Sequence, residues 1–437
     1  MEEITEELHE EPADRIPGAG IEAPVVYAGP VEPERAGGGL LFFMGLICGI
    51  FLMMSAGFVL AIFVRMDVIR LPFSLRNPSG LLNAATEKKI GLIEESIEKN
   101  FYRTDVEDET LRDGLFRGMI DALDDPYSTY YSGEEFDEIM TDIQGVYEGI
   151  GAYLMQSGEY EYPVITGTIS GSPAEEAGLV EKDLLTEVEG ESTRGLDLST
   201  IVSRVKGERG TTVKLKLLRD GKELEVSIVR ARIESPTVIV EDPQDGIGYL
   251  RITEFDDVTP DQFAEGLAEL KSKGMRGMIL DLRSNTGGNL DAVCDIARQI
   301  LPEGVIVYTL DRDGNREDFD CDGSHAADFP IVVLVNDYTA SASEILAGAI
   351  RDYGLGRLVG TTTYGKGVVQ RIYQIGDGTA LKLTVETYYT PSGFDLNGVG
   401  LEPDEEIVYD AEAAGKDGTD NQRVRGEEIL RQLMEDR

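Results

Sequence analysis

Three stretches carry side chains whose types and spacing could do chemistry. In Asn336-Asp-Tyr-Thr-Ala-Ser341-Ala342-Ser343-Glu344, an apolar run at 331–335 predicts a strand leading in and 343–353 predicts a helix leading out. A serine at such a turn sits where backbone N–H groups and the positive end of a helix converge. That setting suits a nucleophile whose reaction creates an oxyanion. It also suits an ordinary helix N-cap, where serine is common. In Tyr364-Gly365-Lys366-Gly367-Val368-Val369-Gln370, a lysine lies between two glycines that let backbone pack closely around it. Lysine is a general base only where burial lowers its pKa towards neutrality, and the neighbouring valines supply an apolar surround. A lysine in an exposed turn is the plain alternative. The phosphate-loop pattern fails here, because Gly367 follows the lysine and the upstream glycine is misplaced. In Asp281-Leu-Arg283-Ser-Asn285-Thr-Gly287-Gly288, paired glycines after a strand could aim a backbone N–H at an oxyanion. Glycine and asparagine equally favour a plain strand-to-helix turn.

Composition narrows the chemistry. The net charge of −42 argues against nucleic acid, which needs a basic surface. The two histidines are His9, in the N-terminal tail, and His325, so a Ser-His-Asp site would have to use His325. Neither an HExxH pair nor a three-histidine zinc site can be built. If Ser341 is a nucleophile, its base is expected to be something other than histidine. Cys48, Cys294 and Cys321 lack metal or disulfide-framework spacing; Cys48 is expected to pack within an apolar run, and Cys294 and Cys321, which could pair only if the fold brought them together, are expected to be free thiols. The run Asp311-Arg-Asp-Gly-Asn-Arg-Glu317 lacks glycine at the sixth position of a calcium loop and predicts a hairpin turn.

The elements that must position these residues follow from pattern. Residues 1–36 are acidic, contain Pro and Gly, and predict a disordered tail. Within 37–66, residues 40–64 carry no charge over 25 residues, enough to span a ~30 Å hydrocarbon core as a helix. Residues 67–145 read as a linker and a helical segment, with helices at 84–100 and 107–123. Residues 146–232 alternate as strands with one clear helix start, where Ser172 is the N-cap, Pro173 the first residue and Glu175 the closer of a capping box. Strands at 213–218 and 223–229 flank an Asp220-Gly221 turn. Residues 233–410 alternate strands (246–252, 277–282, 305–310, 331–335) with helices (260–273, capped by Thr259, and 290–301), the mark of an α/β sheet covered by helices. Residues 411–437 are a charged tail with a helix from 422.

The order of Gly149-Ile150-Gly151-Ala152, Ser172-Pro-Ala-Glu-Glu-Ala-Gly-Leu179 and Asp183-Leu-Leu-Thr-Glu-Val188 resembles a PDZ domain. By that resemblance, residues 149–152 form the loop that holds a peptide's terminal carboxylate, and the peptide adds as a strand to a sheet edge. With Asp-Pro-Tyr-Ser (125–128), Leu-Asp-Leu-Arg-x-Asn-x-Gly-Gly (280–288), Ala-Ser-Ala-Ser-Glu (340–344) and Gly-Lys-Gly-x-Val-Gln (365–370), the chain resembles the carboxyl-terminal processing peptidases, tail-specific serine proteases, over about residues 84–410. The resemblance implies a multidomain α/β protein with a crotonase/ClpP-like protease core. It makes Ser341 the nucleophile, Lys366 the base, Gln370 the residue that positions the lysine, and the N–H groups of Ala342 and Gly287 the oxyanion hole. Asp352 matches an aspartate sometimes included, although helix spacing from Ser341 favours a structural role. No metal or cofactor is implied. Implied partners are protein substrates with apolar C-termini and, through one helix, a bilayer; homo-oligomerisation is left open. Arg65, Arg70 and Arg76 favour a cytoplasmic C side. The resemblance favours the opposite, an extracytoplasmic catalytic domain in a bacterial envelope, and that is the expectation. The rival readings are an inactive PDZ scaffold on the same fold and a crotonase-like acyl-CoA enzyme.

Overall fold

The computed structural model describes residues 25–27, 80–156, 158 and 160–436. The expected membrane helix at 37–66 lies outside the described residues, as does most of the tail expected to be disordered. Among the described residues, no helix is long and apolar enough to cross a membrane. Within that tail, Val25–Tyr27 form a short strand, β1.

The chain divides into two compact units, residues 30–118 and residues 1–29 with 119–437. In the smaller, α1 (Ala84–Asn100) is capped by Asn83, whose side chain accepts from the Ala85 and Thr86 N–H groups. Neither α1 nor α2 (Asp108–Asp121) contains a buried residue.

The larger unit contains two sheets that share a core, and a third that stands apart. The first sheet has the order β11 (Val238–Gln244), β12 (Ile247–Ile252), β13 (Gly277–Asp281), β16 (Ile331–Val335), β17 (Gly356–Gly360) and β20 (Glu405–Glu406). From β12 onward its strands are parallel. β13 and β16 are buried at every position, as strands covered on both faces must be; β16 is all Ile, Val and Leu, while β13 ends in Asp281, which is paired with Arg283. One face packs on α10 (Asn421–Glu435) through Ile429 and Leu430, just beyond the short α9 (Ala411–Asp417). The other packs on α6 (Thr259–Ser272), α7 (Leu290–Ala297) and α8 (Ala342–Asp352). Those helices also bury residues of the second sheet, ordered β1, β18 (Val368–Gly376), β19 (Thr379–Tyr389), β14 (Gly304–Asp311) and β15 (Arg316–Cys321), with β2 (Thr129–Tyr131) added to β19. β1 lies parallel to β18, with Val25 opposite Gln370. Helix α3 (Gly133–Gln144) buries Phe136 and Ile143 against Ile372 and Ala380 of this sheet.

The third sheet is ordered β4 (Ala152–Met155), β5 (Val164–Thr168), β6 (Leu184–Val188), β8 (Thr212–Arg219) and β9 (Lys222–Val229), with β7 (Glu191–Ser192) on β6. It encloses its own core with α4 (Pro173–Glu176) and α5 (Leu198–Val205). A two-stranded ladder, β3 (Val146–Gly149) with β10 (Ala231–Glu234), brackets it at both ends. The Asp220-Gly221 turn has φ of 50° and 75°, the primed geometry a tight hairpin needs.

Two capping expectations are corrected. Ser172 Oγ does accept from the Glu175 N–H, but the Glu175 carboxylate accepts from Gly171 N at 2.7 Å instead of closing back on Ser172. Thr259 is the first residue of α6, and Val258 is the cap. The Thr259 hydroxyl is used elsewhere, accepting from the Asp256 N–H at 2.9 Å. Asp311 closes the β14–β15 hairpin by accepting from the Asp313 and Asn315 N–H groups, as the turn reading expected. Cys294 and Cys321 are free and buried.

Candidate active site

Ser341 ends the loop that leaves β16 and caps α8. Its backbone has φ 58° and ψ −118°, which a residue with a Cβ adopts only where its surroundings impose it. The surroundings do so through Asn285, which is itself buried. The Asn285 carbonyl accepts from the Ala340 N–H at 3.0 Å and from the Ser343 hydroxyl at 3.1 Å, while its amide donates to the Ile252 carbonyl at 3.0 Å. The Thr339 hydroxyl donates to the Leu282 carbonyl at 2.9 Å, and the Ser284 N–H donates to Asn336 Oδ1 at the same distance. The two loops at the C-terminal ends of β13 and β16 are thus sewn together. Open parallel sheets leave a crevice for ligands at such ends.

The loop before β18 joins them through one carboxylate. Glu344, in the first turn of α8, is fully buried and accepts four hydrogen bonds. Oε2 takes the Ser341 N–H (2.8 Å) and the Lys366 N–H (2.9 Å). Oε1 takes the Gly365 N–H (2.7 Å) and the Thr363 hydroxyl. Burial pushes the Glu344 carboxyl above its ordinary value, and these four donors pull the other way. A second bridge lies on the carbonyl side. The buried Tyr388 hydroxyl sits 2.6 Å from the Lys366 carbonyl and 3.1 Å from that of Ser341, and donates its one proton there. Burial holds that phenol well above its usual range, so it stays a donor. The flanking glycines fit their expected use. A Cβ on Gly365 would stand 2.6 Å from the Gly400 nitrogen, and one on Gly367 would stand 2.7 Å from Asn397 Cβ.

Ser341, Lys366 and Gln370 are all buried, at 0–1 % exposure. Among the described residues, Ser341 Oγ and Gln370 Oε1 are buried polar side-chain atoms with no hydrogen-bond partner. Gln370 is held by its other end, Nε2, which donates to Thr384 Oγ1 on the facing strand at 3.0 Å. Lys366 Nζ lies 4.3 Å from the centroid of the Tyr127 ring. Burial, then the hydrogen bond to the Tyr364 side chain, raise the Tyr127 phenol.

The two expected oxyanion donors differ. Ala342 opens α8, where an N–H has no partner within the helix. The Gly287 N–H, by contrast, donates to Asn285 Oδ1 at 2.8 Å, so in this structure it is engaged inside its own loop. Asp352 lies at the far end of α8, where its carboxylate accepts from the Ser392 N–H at 2.9 Å and faces Arg351. It ties the helix end to a turn. Among the described residues, no group of three His, Cys, Asp or Glu side chains is placed to hold a metal ion.

Residues 149–152 connect β3 to β4. β4 is an edge strand, and α5 packs beside it. Gly151 has φ 78°, and Ile150 is buried, with its carbonyl accepting from the Ala174 N–H at 2.8 Å. The loop leads into an edge strand that the helix flanks.

The structural roles of Glu344, Tyr388, Tyr127 and Thr384 were not foreseen. Glu344 and Tyr127 stand inside motifs already singled out, but nothing local predicts that a carboxylate will bridge two loops or that a ring will cover a lysine.

Residues 246–407 match the sequence profile of peptidase family S41, residues 164–219 that of a PDZ domain, and residues 78–135 that of the activating protease CtpB N-terminal domain. A carboxyl-terminal-processing protease of Synechocystis sp. is 39 % identical over 295 residues, which cover 66 % of this chain and 69 % of the relative. The carboxy-terminal processing proteases CtpA and CtpB of Bacillus subtilis are 36 % and 34 % identical over 318 and 326 residues, covering 72 % of this chain and 67 % of each relative.

Proposed function

The chain belongs to the carboxyl-terminal processing proteases of peptidase family S41, serine peptidases, and carries a PDZ domain; from that premise we propose that Ser341 and Lys366 form its catalytic dyad. The observation that carries the reading is the Glu344 bridge. One carboxylate oxygen accepts from the N–H groups of both residues, so their backbone nitrogens lie no further apart than two hydrogen bonds. Both side chains are buried, and the serine hydroxyl is unpartnered and ready for a base.

In this mechanism neutral Lys366 takes the Ser341 proton as Oγ forms a bond to the scissile carbonyl carbon. The tetrahedral oxyanion meets the Ala342 N–H. The Gly287 N–H joins it when released from Asn285. Lys366 then gives its proton to the leaving amine as the C–N bond breaks. Water, deprotonated by the same lysine, attacks the ester carbonyl; the bond to Ser341 Oγ breaks, Lys366 returns the proton to Oγ, and the new carboxylate leaves. Gln370 Oε1, an acceptor without a donor, orients the lysine. The PDZ unit, taken as residues 146–232, receives the substrate's free C-terminus at 149–152 and delivers the chain to a catalytic unit at 233–410. Apolar tails suit the groove. Residues 37–66 anchor the enzyme in a membrane with the catalytic unit outside the cytoplasm.

The test uses the full chain in detergent and one unfolded protein ending in either an apolar or a charged tail. Cleavage is expected to favour the apolar tail. Ser341→Ala and Lys366→Ala are each expected to lower kcat/KM by at least about 10³-fold. Equal cleavage by the Lys366→Ala variant would remove the dyad.

A further inference from the structure

The base is not on its nucleophile. Because Ser341 Oγ and Gln370 Oε1 have no hydrogen-bond partner, Lys366 Nζ is bonded to neither. It lies instead over the face of Tyr127, 4.3 Å from the ring centroid, well inside the range in which an aromatic face attracts a cation.

Tyr127 is held there by its own loop. Its N–H donates to Asp125 Oδ1 at 3.2 Å, and the Ser128 hydroxyl donates to Asp125 Oδ2 at 2.5 Å. Ser128 Oγ accepts from the Thr384 N–H at 3.1 Å, and the Thr384 hydroxyl is the group that fixes Gln370 Nε2. The phenol is hydrogen-bonded to Tyr364, two residues before the lysine. One set of contacts therefore locates both the ring and the glutamine that the lysine must reach.

We propose that Tyr127 is a positioning residue for the base: its ring holds the Lys366 ammonium in a resting place off the nucleophile, and gives it up when the lysine loses its proton. The physical reason is selectivity for charge. The ring quadrupole attracts an ammonium and has far less hold on a neutral amine, whereas Ser341 and Gln370 need the amine close by. Charged and titratable groups also touch the backbone and the ring: the Glu344 carboxylate accepts from the Lys366 N–H, the Tyr388 hydroxyl donates to the Lys366 carbonyl, and Asp125 and Tyr364 face Tyr127. Glu344 and Asp125 are held by backbone N–H groups whatever side chain stands at position 127, so substitution there isolates the ring's share.

The proposal rests on Lys366 being the base. The experiment measures, for the full chain in detergent, the pH dependence of Ser341 labelling by an arylsulfonyl fluoride, each rate normalised to its high-pH plateau. Removing a stabiliser of the ammonium makes deprotonation easier, so the acidic limb of Tyr127→Leu is expected at lower pH. Below the wild-type limb, its normalised rate is expected to be about three- to tenfold higher. Tyr127→Phe keeps the aromatic face and is expected to keep the limb. Trifluorophenylalanine at position 127 keeps the shape but weakens the face, and is expected to move the limb partway. If Tyr127→Leu fails to fold, the phenylalanine and trifluorophenylalanine pair decides. Equal shifts in the leucine and phenylalanine variants, or coincident limbs for the phenylalanine pair, overturn the proposal while leaving the dyad intact. Wild-type labelling of Lys366→Ala removes the dyad, and the proposal with it.

Discussion

Glu344 has no free lone pair to spare. Its two oxygens accept from three backbone N–H groups and one hydroxyl, and the Thr363 hydroxyl in turn accepts from the Leu401 N–H at 2.7 Å. Glutamine has the same size but turns one oxygen into an NH2 group. Whichever way that amide is set, two donors face a donor. Each buried group left unsatisfied costs about 1–3 kcal/mol. Glu344→Gln is therefore expected to lose about 2–4 kcal/mol of stability, read by denaturant unfolding, and to lower kcat/KM by about 10²-fold as Ser341 and Lys366 drift apart. A variant with wild-type stability and activity would mean that the bridge positions nothing. Burial raises the Glu344 carboxyl, so its folded-state pKa lies above the unfolded one. The folded protein then binds that proton more readily, and this group's contribution to stability falls as pH rises from the ordinary glutamate value through the folded one. Glu344→Gln removes that slope.

Among the elements, the PDZ sheet depends on a clamp of the opposite sign. Asp183 precedes β6 and is fully buried, and Arg219 at the end of β8 reaches it with two hydrogen bonds of 2.6 Å. The Val180 N–H adds a third at 3.0 Å. Burial alone would raise this carboxyl, but the guanidinium and the N–H together hold it below its ordinary value. Its stabilisation is present above the unfolded aspartate pKa and is lost as pH falls through the folded one. Arg219→Ala leaves a buried carboxylate uncompensated, at a cost of about 2–3 kcal/mol. Hydrogen exchange of the β6 and β8 amides is expected to speed up by about 30- to 100-fold at neutral pH, with the gap to wild type narrowing in acid. A gap that does not change with pH would refute the charge argument. Much of this architecture is readable in sequence because its signals are local. The all-apolar 331–335, the proline after Ser172 and the Asp220-Gly221 turn each state their conformation within a few residues. Helix α3 states it too, with Ser132 and Glu135 closing a capping box ahead of Phe136, Ile139, Met140 and Ile143, although the expected helices of this segment end at 123. β18 and β19 went unread for a physical reason. Most positions of β19 are half-buried, so its two faces do not alternate cleanly between apolar and polar. The Lys366–Tyr127 contact joins residues 239 positions apart, brought together where β2 and β18 both pair with β19.

For the whole molecule, two features compete for the same stretch of chain. β1 pairs with β18 beside Gln370, which puts residues 25–27 on the catalytic side. A membrane-spanning 40–64 would put them on the other side, since the chain must cross the bilayer between β1 and the core. Magnitudes decide between them. Three residues of parallel pairing at a sheet edge contribute about 1–3 kcal/mol, set against the loss of chain freedom that ordering them costs. Residues 40–64 contain 15 Leu, Ile, Phe and Val side chains, whose insertion is worth on the order of 5 kcal/mol on an apparent insertion scale. These magnitudes favour the proposed membrane reading, under which the β18 edge would be left open beside the site. Cell fractionation is expected to leave the full chain in the membrane pellet after high-salt and carbonate washes, with release only by detergent. A chain beginning at residue 80 is expected in the soluble fraction. Protease added outside intact spheroplasts is expected to degrade the catalytic unit. Recovery of the full chain in the soluble fraction would reverse the ranking and leave the β1–β18 pairing as the native arrangement.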